Sequence, residues 1–219
     1  MFATIYVPNF YLQAALRYGD ASPRADSPAD APTRRRSAMG GQAERGGYSA
    51  QSELHEITCQ QSSRLEPVAL IDPEDKKPLI LQLNAAAEAA GVRLGMTPSQ
   101  GLARSLHLRI LTRSALQENA LQELLLEQAF TLTPLVEATA PGLCTVQFTD
   151  LRNLVAKVSR VLEQLAVCGI AAQAGLGPAP DTSFLAAHLA RPILQIDDAE
   201  KFLAPLPIEI LAIDSDDSW

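Results

Sequence analysis

Residues 84–105 read NAAAEAAGVRLGMTPSQGLARS, an alanine-rich run broken by glycines at 91, 95 and 101. The alanines predict a short helix stopped at Gly91. Gly95 makes a turn, and a second helix starts near Pro98, whose fixed φ suits a first helical turn. On the N-terminal side, PVALID (67–72) and PLILQL (78–83) read as strands around the turn-like PEDKK, a hairpin signature. On the C-terminal side, LRILTR (108–113) is another strand. Ser114 is expected to cap the long amphipathic helix ALQENALQELLLEQAFTLTP, whose Leu121, Leu124, Leu125 and Ala129 line one face as core. A strand pair around LCTVQFTD (143–150), the helix LRNLVAKVSRVLEQLAVCG, the strand IAAQAGLG and the helix DTSFLAAHLAR follow. With the opening ATIYV as first strand, this order predicts an α+β fold with a ferredoxin-like antiparallel sheet carrying helices on one face.

One segment breaks the pattern. Residues 19–64 are rich in Ser, Pro, Ala, Gly and Arg without a sustained apolar period, so they bury too little surface to offset chain entropy and are expected to form a disordered insertion. Arg34, Arg35 and Arg36 within it read as a solvated basic run. Glu53, His55, Glu56 and Cys59 match no metal-ligand spacing.

Composition sets the outer limits. The 219 residues are 47% hydrophobic, as in an ordinary globular protein. Cys59, Cys144 and Cys168 are widely spaced, suggesting neither a disulfide framework nor a zinc site and fitting a reducing cytoplasm. No signal-peptide pattern and no membrane-length apolar run is present, so no membrane partner is expected. The formal charge of -7 opposes tight, sequence-independent binding to a phosphate backbone.

Four stretches in order carry a resemblance: residues 84–105, LTPLVEATAPGLCTVQFTDL (132–151), QAGLGPAPDTSFLAAHLARP (173–192) and FLAPLPIEIL (202–211). Together they resemble the Y-family, UmuC/DinB-like translesion DNA polymerases, most of all the catalytically inactive ImuB branch. The resemblance implies a palm from residues 1–12 and 106–188, fingers from 13–105 interrupted by the insertion, and the start of a helical thumb from 189–219. It also implies a truncated chain without the little-finger domain.

Nucleotidyl transfer by two magnesium ions needs clustered carboxylates, because hard divalent cations bind oxygen anions. The resemblance puts the first-strand ligands at Tyr6 and Pro8, and the hairpin ligands at Gly142 and Leu143. A tyrosine with an ordinary pKa near 10 and a proline replace no carboxylate. Asp150 sits roughly 23 Å further along an extended strand than Leu143 and is no substitute. The expected triphosphate contacts fall on Ala85, Glu88 and Pro180, and Glu88 would repel phosphate. Tyr11 retains the position of the aromatic that excludes a ribose hydroxyl, with Phe10 before it. His107 and His188 read as structural.

The expectation is therefore a chain without cofactor or metal that is not an enzyme, acting as an adaptor in mutagenic DNA repair and the DNA damage response. Its implied partners are an error-prone replicative-type DNA polymerase, a sliding clamp and an ImuA-like accessory protein, with damaged DNA bound weakly; its implied location is bacterial, cytoplasmic and nucleoid-associated. Two other readings stay open. One is an active nucleotidyltransferase with relocated ligands, for which Asp72, Glu74 and Asp75 are candidates in a solvated turn. The other is an unrelated ferredoxin-like binding domain.

Overall fold

A computed structural model describes residues 1–18, 66–74 and 76–208. The insertion, with Arg34 to Arg36 and the Glu53–Cys59 group, lies outside the described residues, as does Asp75. Two sheets organise the chain. The larger has five strands and the smaller three.

Strand β1 (Phe2–Tyr6) is central, antiparallel to both β6 (Leu143–Gln147) and β7 (Gln173–Gly177). β5 (Val136–Ala140) closes one edge antiparallel to β6, and β8 (Ile193–Gln195) the other, parallel to β7. The period of two sends Ala3 and Ile5 into the main core and Thr4 to the opposite face. Helix α1 (Phe10–Tyr18) follows β1 through Asn9, which takes a left-handed φ of 50° and whose carbonyl accepts from Gln13 N at 2.9 Å.

The small sheet is the predicted hairpin of β2 (Val68–Ile71) and β3 (Ile80–Leu83) with β4 (Arg109–Thr112) added parallel to β2. Helices α2 (Ala85–Ala89) and α3 (Pro98–Arg104) form the glycine elbow, with Gly91 at φ 87° and Gly95 at φ 75°, conformations that cost L side chains energy. Asn84 Oδ1 accepts from Ala87 N at 2.9 Å, capping α2, and from Val68 N at 3.0 Å, tying that cap to β2. Thr97 and Gln100 form a capping box on α3 with Pro98 at its start.

Helix α4 (Ala115–Phe130) buries Leu121, Leu125 and Ala129, and α5 (Leu154–Val167) buries Val158, Val161 and Leu165, in one core with β1, β6 and β7. Each of these leucines and valines contributes about 1.5–3 kcal/mol relative to exposure. A second core holds Ala69, Ile80, Ala87, Val92 and Leu108. β2 serves both: Val68 and Leu70 belong to the main core and Ala69 to the small one. Among the described residues, no helix is long and apolar enough to cross a membrane.

The α+β architecture is the expected one, with differences in detail. Ser114 makes no side-chain cap; a two-pronged Arg113–Glu118 ion pair at 2.9 and 3.0 Å braces the first turn of α4 instead. Helix α4 ends at Phe130, short of Pro134, consistent with proline disfavouring helical backbone before it. Helix α6 (Pro180–Leu189) packs on the sheet face opposite α4 and α5, because Gly175 and Gly177 leave no Cβ to hold it off. Strand β8 and helix α7 (Ala199–Leu203) were not anticipated as separate elements.

Candidate functional site

The positions singled out on the first strand and the hairpin meet at one end of β1. Tyr6 pairs with Leu143 on one side and Gln173 on the other. Val7 N donates to Gly142 O at 2.8 Å, and Gly142 N donates to Gln122 Oε1 at 2.7 Å. Gly142 holds φ 72°, and a Cβ there would lie 2.7 Å from Phe10 Cβ, so the turn rests directly on Phe10. Pro8 is fixed through its carbonyl, which accepts from Gln13 Nε2 at 2.6 Å; that nitrogen also donates to Ala171 O at 2.9 Å, while Gln13 Oε1 accepts from Ala171 N at 2.8 Å.

On the α6 face the Tyr6 ring lies 4.1 Å from that of His188, which in turn lies 4.6 Å from Phe184. Beside this stack, Thr4 Oγ1 and Ser183 Oγ are 2.8 Å apart, and Ser183 Oγ donates to Pro180 O at 2.7 Å. Thr145 joins Thr4 at 3.3 Å and Thr139 at 3.1 Å, so the hydroxyls run across three strands. These contacts satisfy polar groups that would be costly to bury alone.

On the other side, Phe10 and Tyr11 meet edge-on at 5.4 Å, both nearly buried. The Arg113 guanidinium stands 4.0 Å over the Tyr11 ring, held by Glu118 and by Asp72 at 3.5 Å. The Glu118 hydrogen bond, outweighing desolvation, raises the Arg113 pKa further, so its charge is permanent. Leu12 N donates to Gln82 Oε1 at 2.9 Å, a second tie between α1 and the small sheet.

Ala85 and Glu88 are exposed on α2, and Pro180 is the exposed first residue of α6. They are thus separate from the strand-end group, though Pro180 reaches it through Ser183 and Thr4. Asp72 is engaged by Arg113 and by Glu74 N, and Asp150 lies past Gln147, which pairs with Phe2 at the far end of β1. The main-chain N–H of Arg152 and then Lys157 hold the Asp150 carboxyl below its ordinary pKa. His107 is exposed before β4.

Magnesium can be tested against this donor set. A phenol, a proline ring, a glycine and an isobutyl group offer no carboxylate oxygen, so Tyr6, Pro8, Gly142 and Leu143 do not fit a hard divalent ion. The side chains that organise the site were missed in the sequence: Gln13, Gln82, Gln122 and Arg113. The signal for the three glutamines was a glutamine beside apolar neighbours, as in YLQAA, LILQL and ALQEL.

No family model matches the chain, and no curated protein matches it. Solved structures do. A post-insertion binary complex of Dbh DNA polymerase superposes with TM-score 0.66 at 11% identity, over 95% of this chain and 52% of that one. A Y-family DNA polymerase chimera gives 0.65 at 11% over 95% and 53%. A DinB-family error-prone DNA polymerase from Sulfolobus solfataricus gives 0.60 at 13% over 95% and 51%. The chain spans about half the length of the solved chains it matches.

The expectation that the chain is not an enzyme is corrected by these likenesses, since the structures sharing its fold are DNA polymerases. That expectation ran from a few side chains to a whole activity, whereas hard cations also accept main-chain carbonyls and carboxylates from neighbouring elements. The chain has the fold of its structural neighbours, the Y-family DNA polymerases.

Proposed function

We propose that the chain has a DNA-polymerase-related function in translesion synthesis and mutagenic DNA repair, where it acts as an ImuB-like adaptor. In this reading residues 1–12 and 106–188 serve as the palm, 13–105 apart from the insertion 19–64 as the fingers, and the chain from 189 as the start of the thumb. It brings an error-prone replicative-type DNA polymerase, a sliding clamp and an ImuA-like accessory protein to damaged DNA in the bacterial cytoplasm, holding the DNA only weakly. Tyr6, Pro8, Gly142 and Leu143 take no magnesium, Ala85, Glu88 and Pro180 make no triphosphate contact, and Tyr11 with Phe10 serves packing.

The observation that carries the reading is the strand-end geometry. Tyr6 stacks on His188 and pairs with Leu143, and Gly142 rests on Phe10, so this end of β1 is filled by packed side chains on a polymerase-like sheet. Such packing holds the strand end rigid, which suits a scaffold that positions a partner.

Pull-down with the chain tests the adaptor role, and recovery of the polymerase or the clamp is the expected result. Primer extension with magnesium or manganese runs beside it. Template-dependent incorporation that disappears when Asp72 is changed to Asn or Glu74 to Gln would show nucleotidyl transfer through relocated ligands beside the adaptor role.

A further inference from the structure

Among the described residues, strand β5 ends the large sheet and bonds to β6 alone, and its residues from Glu137 to Ala140 are exposed. Gln147 N donates to Leu135 O at 2.9 Å, and Glu137 faces Thr145 across the ladder. Antiparallel bonding alternates, so residues 135 and 137 bond into the sheet while the N–H and C=O of Val136 and Ala138 point away from it. A register shift after Ala138 ends this regular edge. Phe130, 56% exposed, and Leu135, 48% exposed, flank the start of the strand.

Charge adds a direction. From Ser114 to Leu151 the chain holds Glu118, Glu123, Glu127, Glu137 and Asp150 and not one Lys or Arg. Arg113 takes Glu118 and Lys157 takes Asp150, while Glu123, Glu127 and Glu137 are exposed without an ion pair among the described residues. Glu127 lies one helical turn before Phe130 and so shares its side of α4.

We infer that this edge is a docking site for an extended basic segment of a partner protein, which adds to the sheet as one more strand. The outward amides of Val136 and Ala138 supply the ladder, Val136 and Phe130 on the core side receive the segment's apolar side chains, and Glu137 on the opposite face pairs with Lys or Arg. Nucleic acid is disfavoured because phosphates would meet carboxylates. A second copy of the chain would bring its own acidic corner. The inference stands on the edge and its charge, independently of the polymerase-related reading.

The probe is a fluorescein-labelled peptide of alternating Lys and Val, with a Glu and Val peptide as its counterpart. Fluorescence anisotropy on the whole chain is expected to show binding of the first and not the second, with slowed hydrogen exchange at Val136 and Ala138. Glu137→Lys weakens the Lys peptide about two- to fivefold, as expected for one cross-strand charge pair. Ala138→Pro removes an outward N–H without touching the β6 ladder and abolishes binding. Equal binding of both peptides, slowed exchange at β8 instead of β5, or dimerisation through β5 without peptide overturns the inference.

Discussion

Replacing Gly175 by Ala tests how α6 sits on the large sheet. The new Cβ would lie 2.2 Å from both Ala187 N and Ser183 O, where ordinary contact begins near 3.4 Å. Both are main-chain atoms, so no side chain can rotate away, and the helix must retreat by about 1.2 Å. Overpacking of this kind costs about 1–3 kcal/mol. The retreat also stretches the 2.8 Å Thr4–Ser183 bond beyond useful length, adding about 1 kcal/mol. A loss of about 3 kcal/mol lowers Tm by about 6–12 °C in a chain of this size. Thermal unfolding of the whole chain followed by circular dichroism measures it, with Thr4→Val, which exchanges the hydroxyl for a methyl, falling by about 2–4 °C. A Tm for Gly175→Ala within about 2 °C of the parent would refute the close packing of α6 on β7.

Gly142→Ala meets two obstacles, a left-handed backbone and the wall of Phe10, so it is expected to lose about 2–4 kcal/mol in urea unfolding; a neutral result would show that the turn does not rest on Phe10. Arg113→Met strips the fork from Glu118 and Asp72 and should cost about 1–3 kcal/mol, with Arg113→Lys in between because one ammonium cannot reproduce two parallel bonds; equal stability of Lys and Arg would discount the fork. Burial pushes the Cys144 thiol up to about 12, so iodoacetamide near neutral pH should leave it unmodified until the chain unfolds. Because the folded pKa exceeds the unfolded one, this stabilisation is complete below the unfolded value of about 8.5. It is lost as pH rises towards the folded value, a slope that Cys144→Ala should flatten and whose persistence would argue for another group.

The legible parts of the chain were those where local chemistry and packing agree. The hairpin of β2 and β3, the glycine elbow, α4 and α5 follow from turn residues, caps and apolar period. The meeting of Tyr6 with Leu143, and of Val7 with Gly142, matches what the resemblance implied about which segments lie side by side. What stayed hidden was tertiary. The parallel bond of β4 to β2 joins residues far apart in sequence, and β8 is three residues long, too short for a period to show. The choice of face by α6 depends on two glycines opposite a serine and a threonine. The glutamines at 13, 82 and 122 declare themselves only through partners on other elements.

Strand β2 is a party wall. Val68 and Leu70 are sealed into one core and Ala69, from the other side, into the second. Pulling the small sheet away from α1 and α4 would therefore open both interiors at once, with Arg113 and Gln82 losing their anchors in the same movement. The two sheets are bound to melt as one cooperative unit, so amides of β2 and of β1 should share a single opening free energy in native-state hydrogen exchange.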